Sequence, residues 1–413
     1  MEAPRRTPSF FSRGFLLDEQ FETRCLLAGL GFLAVLNLAV ALTNRAPLTV
    51  IDSHILSFSS KAAMSIVNGE NPFLKSYYNY PPLFFCVNGL LLAVGVPYGR
   101  SAVTLLATFW MAWGTAGLFL LVRDVWDRRT AIFVTMLWLA TPAAAVGLRV
   151  VNIDHGHMAL LPWFIWAVHR SAFLDRWGWA AAAGSLLGAG FLVRWNFPFV
   201  VALPVAVLAA AALRGATPRR VAGLLFFTAP AAVAALLLFF LHRKGITVTP
   251  DLGGGLERDF PQFWAADSLL FYPRVIYHFL LGPWLIWLIA GGLVDALRRD
   301  GPGTIWPILT VAGALVFSFG RRVKIVYFFA LVPMLIAWAA PLFAASRTAV
   351  RLLIAAAVLL SVTPHSPDVP PIRDRHLAGY GQYLGTVHFA DSGLPPINLF
   401  SARRCPGAGR SAS

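Results

Sequence analysis

The chain has 413 residues, of which 58% are hydrophobic and only 13% charged, and its mean hydropathy is +0.67. Soluble domains are roughly one quarter charged, so this balance excludes a water-soluble globular protein, and the lack of strand-like alternation excludes a membrane barrel. The net charge of +15 does not signal a nucleic-acid partner, because the arginines stand in short clusters between apolar runs rather than along one face.

Repeated apolar runs of about twenty residues are each long enough to cross roughly 30 Å of hydrocarbon as a helix. The first extends from Arg24 to Leu42, behind Arg5, Arg6, Arg13 and Arg24. It has no small-residue cleavage site at its end, so it is expected to be a retained span rather than a signal peptide. Residues 1–23 then form a cytoplasmic segment, and a first external loop, 44–100, faces the other side.

Within that loop His54–Asn68 is expected to be helical, with Ile55, Phe58, Ala62 and Ile66 near one face, Asp52 or Ser53 as its cap and Gly69 as its stop. It is too short and too polar to span, so it should lie along the interface. Pro81 and Pro82 open the next helix, where a missing N–H costs least.

Two apolar stretches follow, Leu83–Val96 and Ala102–Val122. Arg123, Arg128 and Arg129 come next, and the positive-inside rule puts them in the cytoplasm. Returning there takes an odd number of crossings. Leu83–Val96 is therefore expected to be a second juxtamembrane or re-entrant helix, and Ala102–Val122 the second span.

Further spans are expected near 130–148, 156–170, 177–193, 197–213, 219–241, 273–297, 304–319, 324–343 and 349–363. They return Arg170 and Arg176, Arg214, Arg219 and Arg220, Arg298 and Arg299, and Arg347 and Arg351 to the cytoplasm. The expected architecture is an all-α polytopic membrane domain, residues 24–363, of about eleven spans, followed by a short Pro/Gly-rich external tail, 364–413. Asp52 and Asp154 then fall on one side. So do Arg321, Arg322 and Lys324, against the charge rule, and a bound anion is a reason for basic residues to be there.

Asp52 stands just beyond the first span, where a carboxylate is either a general base for an attacking hydroxyl or the cap of the following helix. Asp154, His155 and His157 concentrate three titratable groups at the mouth of a span. They suit hydrogen bonding to sugar or phosphate, or the satisfaction of a helix end. Arg194 and the cluster Arg321, Arg322 and Lys324 could grip a phosphate, whose charge grows as a glycosidic bond breaks, or could snorkel to the interface. Tyr77, Tyr78 and Tyr80 suit stacking on a sugar or an interfacial belt. Cys25, Cys86 and Cys405 have no metal-ligand spacing, and no metal site is expected, although a divalent ion near Asp154 and the two histidines is compatible with these residues.

Asp52, Gly69-Glu70-Asn71-Pro72-Phe73, Tyr80-Pro81-Pro82-Leu83 and Ile153-Asp154-His155-Gly156-His157 together resemble the GT-C superfamily, whose members use polyprenyl-phosphate sugars. The layout of an Asp followed by Tyr-Pro-Pro-Leu is similar to that of protein O-mannosyltransferases, aminoarabinose lipid A transferases and bacterial mannosyltransferases. The Ile153–His157 segment resembles dolichyl-phosphate-glucose glucosyltransferases, but Asn79 and Met158-Ala159-Leu160 depart from that family, and Ser53 departs from the Asp-Glu or Asp-Tyr of many relatives.

The resemblance implies an inverting transfer of a hexose, mannose or glucose, from a polyprenyl-phosphate carrier to a glycan, lipid or protein acceptor. Asp52 would be the base, Asp154, His155, His157 and Tyr80 would bind substrate, and Arg194, Arg321, Arg322 and Lys324 would hold the phosphate. No obligatory cofactor and no nucleotide-sugar site are implied. High Arg, Ala and Gly usage and the short loops suggest a bacterium, and the resemblance implies a site on the periplasmic or external face of its inner membrane. The rivals are a multispan transporter or lipid flippase, which would place ionisable groups at mid-membrane, and a non-catalytic scaffold of the same fold.

Overall fold

Helices are what an apolar chain can form inside a bilayer, because they satisfy their own backbone. The computed structural model describes residues 19–42, 50–75, 80–96, 98–148, 151–215, 217–244, 289–294, 302–319 and 330–361. Every regular element among these is helical. The order is α1 (Glu19–Leu42), α2 (Val50–Val67), α3 (Leu83–Leu92), α4 (Arg100–Val125), α5 (Arg128–Leu139), α6 (Pro142–Gly147), α7 (Asp154–Arg170), α8 (Trp177–Val193), α9 (Phe197–Val200), α10 (Ala202–Arg214) and α11 (Pro218–Arg243). After these come α12 (Pro302–Phe319), α13 (Val332–Ala337), α14 (Ala340–Ala345) and α15 (Thr348–Ser361).

Gln20–Ala39, Arg100–Val125 and Pro218–Arg243 are long and apolar enough to cross a membrane, and Leu83–Leu92, Trp177–Val193, Ala202–Arg214 and Val332–Ala345 are shorter apolar helices. The all-α expectation holds. Two expected spans are nevertheless interrupted: 130–148 breaks between α5 and α6 at Thr141-Pro142, and 197–213 breaks at Val201 between α9 and α10. Proline lacks the donor that would continue the first of these helices. The expected 273–297 and 324–343 spans lie partly outside the described residues, and the 364–413 tail lies wholly outside them.

The bundle closes through small residues. Gly184 and Gly188 stand one turn apart on α8 facing α11, and a Cβ at Gly184 would meet the Phe227 carbonyl oxygen at 2.0 Å. Gly114 and Gly117 play the same part on α4, against Met158 and Trp163 of α7. Close backbone approach through small residues is a main source of helix association in lipid. Gly184→Val should therefore destabilise the protein by roughly 1–3 kcal/mol, the cost of overpacking. Gly31→Ala, with nothing within 4 Å of the added carbon, should be neutral or slightly stabilising. Thermal unfolding of the purified variants in detergent checks both.

Helices α2 and α3 are fastened to α4 by a buried polar relay. Trp110 Nε1 of α4 donates to Asn88 Oδ1 of α3 at 2.8 Å, Asn88 Nδ2 donates to Ser59 Oγ of α2 at 3.2 Å, and Ser59 Oγ donates to the Ile55 carbonyl at 2.6 Å. Gly89 lets α3 lie directly on α2, since a Cβ there would be 2.7 Å from Ala62 Cβ. Phe84 stacks on Trp110 with ring centroids 5.2 Å apart. These contacts hold the start of α2 against the rest of the bundle.

At the opposite end, Glu22 of α1 is fully buried and paired with Arg129 Nη1 at 3.5 Å and Arg351 Nη1 at 3.2 Å. Thr348 Oγ1 also donates to it at 3.2 Å. Arg351 lies over the Phe343 ring and donates to the Ser346 and Ala344 carbonyls. Helices α1, α5 and α15 therefore converge on one carboxylate.

Candidate active site

Helix α2 begins at Val50, four residues before the expected start at His54, so Asp52 lies inside its first turn rather than capping it. A carboxylate there is favoured by the positive end of the helix dipole. The side chain turns into the protein and is fully buried. Its Oδ1 accepts from the Val151 backbone N–H at 2.8 Å, and its Oδ2 lies 3.6 Å from Arg100 Nη1. The distal carbonyl of the same turn, Ser53 O, accepts from Tyr98 Oη at 3.3 Å.

Val151 precedes α7 by three residues, and Asp154 is the first residue of that helix. Asp154 is almost wholly buried, and Arg194 Nη1, at the end of α8, donates to its Oδ1. The local reason is a pair of glycines. A Cβ at Gly156 would sit 2.7 Å from Val193 Cγ1 and 3.0 Å from Phe84, so its absence lets α8 and the Tyr-Pro-Pro-Leu helix both reach the first turn of α7. A Cβ at Gly190 would sit 2.1 Å from the Phe197 ring, so its absence lets the chain after Arg194 fold back onto α8.

The histidines of the motif divide. His155 Nε2 donates to the Gly147 carbonyl at 2.7 Å, and its Nδ1 lies 3.2 Å from the Asn152 N–H. Both ring nitrogens thus brace the loop that offers Val151 N–H to Asp52. His155, expected to bind substrate, has both ring nitrogens turned to the backbone of this loop. His157, one turn further on, hydrogen-bonds the Arg194 backbone and packs beside Phe197 at 5.1 Å, while its Nε2 is buried without a partner.

Asp52 and Asp154 therefore stand at one end of the bundle, each with an arginine beside it. Arg100 is the residue that sequence reasoning missed. It is the only charged residue between Lys75 and Arg123, and that isolation immediately before an apolar run was the available signal. Tyr80 is half-buried with its ring 6.2 Å from Phe85, at the foot of α3. Arg194 is engaged by Asp154 and reaches a phosphate only by sharing or leaving that pair. Arg321, Arg322 and Lys324 lie outside the described residues, as do Tyr77 and Tyr78.

A polar cleft of about 440 Å³ runs along the outer side of α2, lined by Ser57, Lys61, Asn68, Glu70, Lys75 and Tyr98 among others. Lys61 is nine residues beyond Asp52, which puts it about half a turn round the helix, so the cleft and the Asp52 carboxylate occupy different faces. At its rim the Lys75 ammonium, 2.7 Å away, holds the Glu70 carboxyl below its ordinary range by hydrogen bond and charge. Among the described residues no group of three His, Cys, Asp or Glu could hold a metal ion.

Residues 79–243, from the Tyr-Pro-Pro-Leu segment to the end of α11, match the family model for dolichyl-phosphate-mannose-protein mannosyltransferases. None of the curated proteins matches the chain in sequence. The fold is similar to that of ArnT from Cupriavidus metallidurans in the apo state, with a TM-score of 0.62 and 16% identity over 82% of this chain. It is similar to the same protein bound to undecaprenyl phosphate, with a TM-score of 0.59 and 15% identity over 80% of this chain. The chain spans 63% of the length of each of these structures. An oligosaccharyltransferase from Archaeoglobus fulgidus in the apo form matches at a TM-score of 0.48 and 14% identity, over 90% of this chain and 56% of that one. The all-helical bundle is thus similar in fold to ArnT, and residues 79–243 carry the likeness to the mannosyltransferase family.

Proposed function

We propose that the chain is an inverting glycosyltransferase that moves a hexose, mannose or glucose, from a polyprenyl-phosphate carrier to a glycan, lipid or protein acceptor. The reaction runs on the non-cytoplasmic face of a bacterial inner membrane and serves the cell envelope. The observation that carries this reading is the meeting of Asp52 and Asp154 at one end of the bundle through the Val151 N–H and the turn that follows it. The matched mannosyltransferase segment and the ArnT structure solved with undecaprenyl phosphate support the choice of carrier.

In this mechanism the acceptor hydroxyl attacks the anomeric carbon while Asp52 takes its proton, and the carbon–oxygen bond to the phosphate breaks. A base aligned on the attacking hydroxyl contributes where charge transfer is under way, in the transition state. The negative charge that develops on the departing phosphate needs fixed cations, for which Arg100 and Arg194 are the described candidates and Arg321, Arg322 and Lys324 the remaining ones. Tyr80 and His157 line the approach to the sugar. The reaction as written balances without a metal or redox cofactor.

The test is transfer of radiolabelled sugar by the purified protein from undecaprenyl-phosphate mannose or glucose to extracted envelope glycolipid. Arg194→Ala should lower the transfer rate by about tenfold or more, the usual size of a lost charged contact. Carrier movement across a vesicle bilayer with no labelled product would replace this reading with that of a flippase. Neither movement nor product would leave a scaffold.

A further inference from the structure

Buried polar atoms are almost always paired, so unpaired ones gathered at a candidate site point to a ligand that completes them. Asp154 Oδ2, His157 Nε2 and Asn196 Oδ1 are each buried with no hydrogen-bond partner. Their residues are only 1%, 3% and 6% exposed. They belong to two short segments that touch repeatedly: the Arg194 guanidinium meets Asp154, the His157 ring meets the Arg194 backbone, and the same ring packs against Phe197. Asn196 sits between the two residues of the second segment that make these contacts.

The chemistry of the set is one-sided. Since His157 Nε2 is unpartnered, the bond to the Arg194 carbonyl falls to Nδ1–H, and Nε2 is left as an acceptor. Asp154 and Asn196 contribute further acceptors, and the charge of Asp154 is already matched by Arg194. A phosphate would bring only more acceptors to this corner. Neutral hydroxyl groups supply the missing donors without adding charge.

We infer that Asn196, together with Asp154 and His157, receives the hydroxyls of the donor's sugar ring, and that Asn196 is a positioning residue for that ring. The inference rests on the proposed use of a sugar-bearing carrier and assigns these three acceptors to the sugar, while the Arg194 guanidinium beside them remains a candidate for the phosphate. An acceptor left unpaired costs the empty protein stability, so its removal should not weaken the fold while it removes recognition. A residue that serves only packing would behave in the opposite way.

The experiment measures equilibrium binding and thermal unfolding of the full chain in nanodiscs with undecaprenyl phosphate, undecaprenyl-phosphate mannose and undecaprenyl-phosphate glucose. The wild type should bind at least one sugar-bearing carrier about tenfold more tightly than the bare one. Asn196→Leu should abolish that preference, leave the bare carrier's affinity unchanged and melt no lower than the wild type. Asn196→Ala is read in the same way should the leucine variant not fold. Equal binding of all three carriers by the wild type overturns the inference. So does a variant that weakens the bare carrier as much as the sugar-bearing one, or one that melts lower with the preference intact. A sugar preference without transfer in the assay above would refute the transferase and leave this assignment standing. Transfer with a preference untouched in Asn196→Leu would do the reverse.

Discussion

Asp52→Asn should lower the transfer rate by about 10²- to 10⁴-fold, the range for loss of a general base, while carrier affinity stays near that of the wild type. The substitution is informative because the amide oxygen can still accept the Val151 N–H that the carboxylate accepts now. What it removes is the capacity to take a proton, together with the charge facing Arg100. Asp52→Ala would also leave a buried backbone N–H unpaired, so its defect would mix folding with chemistry. The measurement is kcat and KM with undecaprenyl-phosphate sugar, and an asparagine enzyme of full kcat would remove Asp52 from the mechanism.

Glu22→Ala should destabilise the protein by about 3–5 kcal/mol, the cost of breaking a buried ion pair from one side. Two guanidinium groups, those of Arg129 and Arg351, would lose their partner. Glu22→Gln keeps the shape and an acceptor for Thr348 but not the charge, so it should fall between alanine and wild type. The loss should show as a lower melting temperature in detergent, with no change in the ratio of kcat to KM among molecules that remain folded, since this carboxylate lies at the end of the bundle away from Asp52. A Glu22→Ala protein as stable as the wild type would show that the arginines find other partners.

Much of the candidate site could be read from the chain because motif residues and helix ends coincide. Charge parity alone required the stretch after Pro82 to stay at one surface, and α3 is indeed only ten residues long. The same parity put Asp52 and Asp154 on one side of the membrane, and in the structure they stand at one end of the bundle. What the sequence did not disclose is pairing. Nothing local to Arg100 says that it faces Asp52, and nothing local to Glu22 says that Arg351, 329 residues later, neutralises it. The role of His155 was obscured for a related reason: its imidazole is used by backbone groups of the preceding loop, which have no side-chain signature. Helix breaks were under-read as well. Hydropathy averaged over 130–148 hides the Thr141-Pro142 interruption, and the start of α2 was set late because Asp52 and Ser53 read as its cap.

The bond between Asp52 and Val151 joins positions 99 residues apart, which orders events during biosynthesis. When the ribosome has delivered only the first loop, Asp52 has no Val151 to bind and must remain hydrated at the lipid surface. The loop can take its final shape only once the polypeptide through α6 has been inserted. A nascent chain stalled before that point would carry an unsatisfied acid next to an apolar helix.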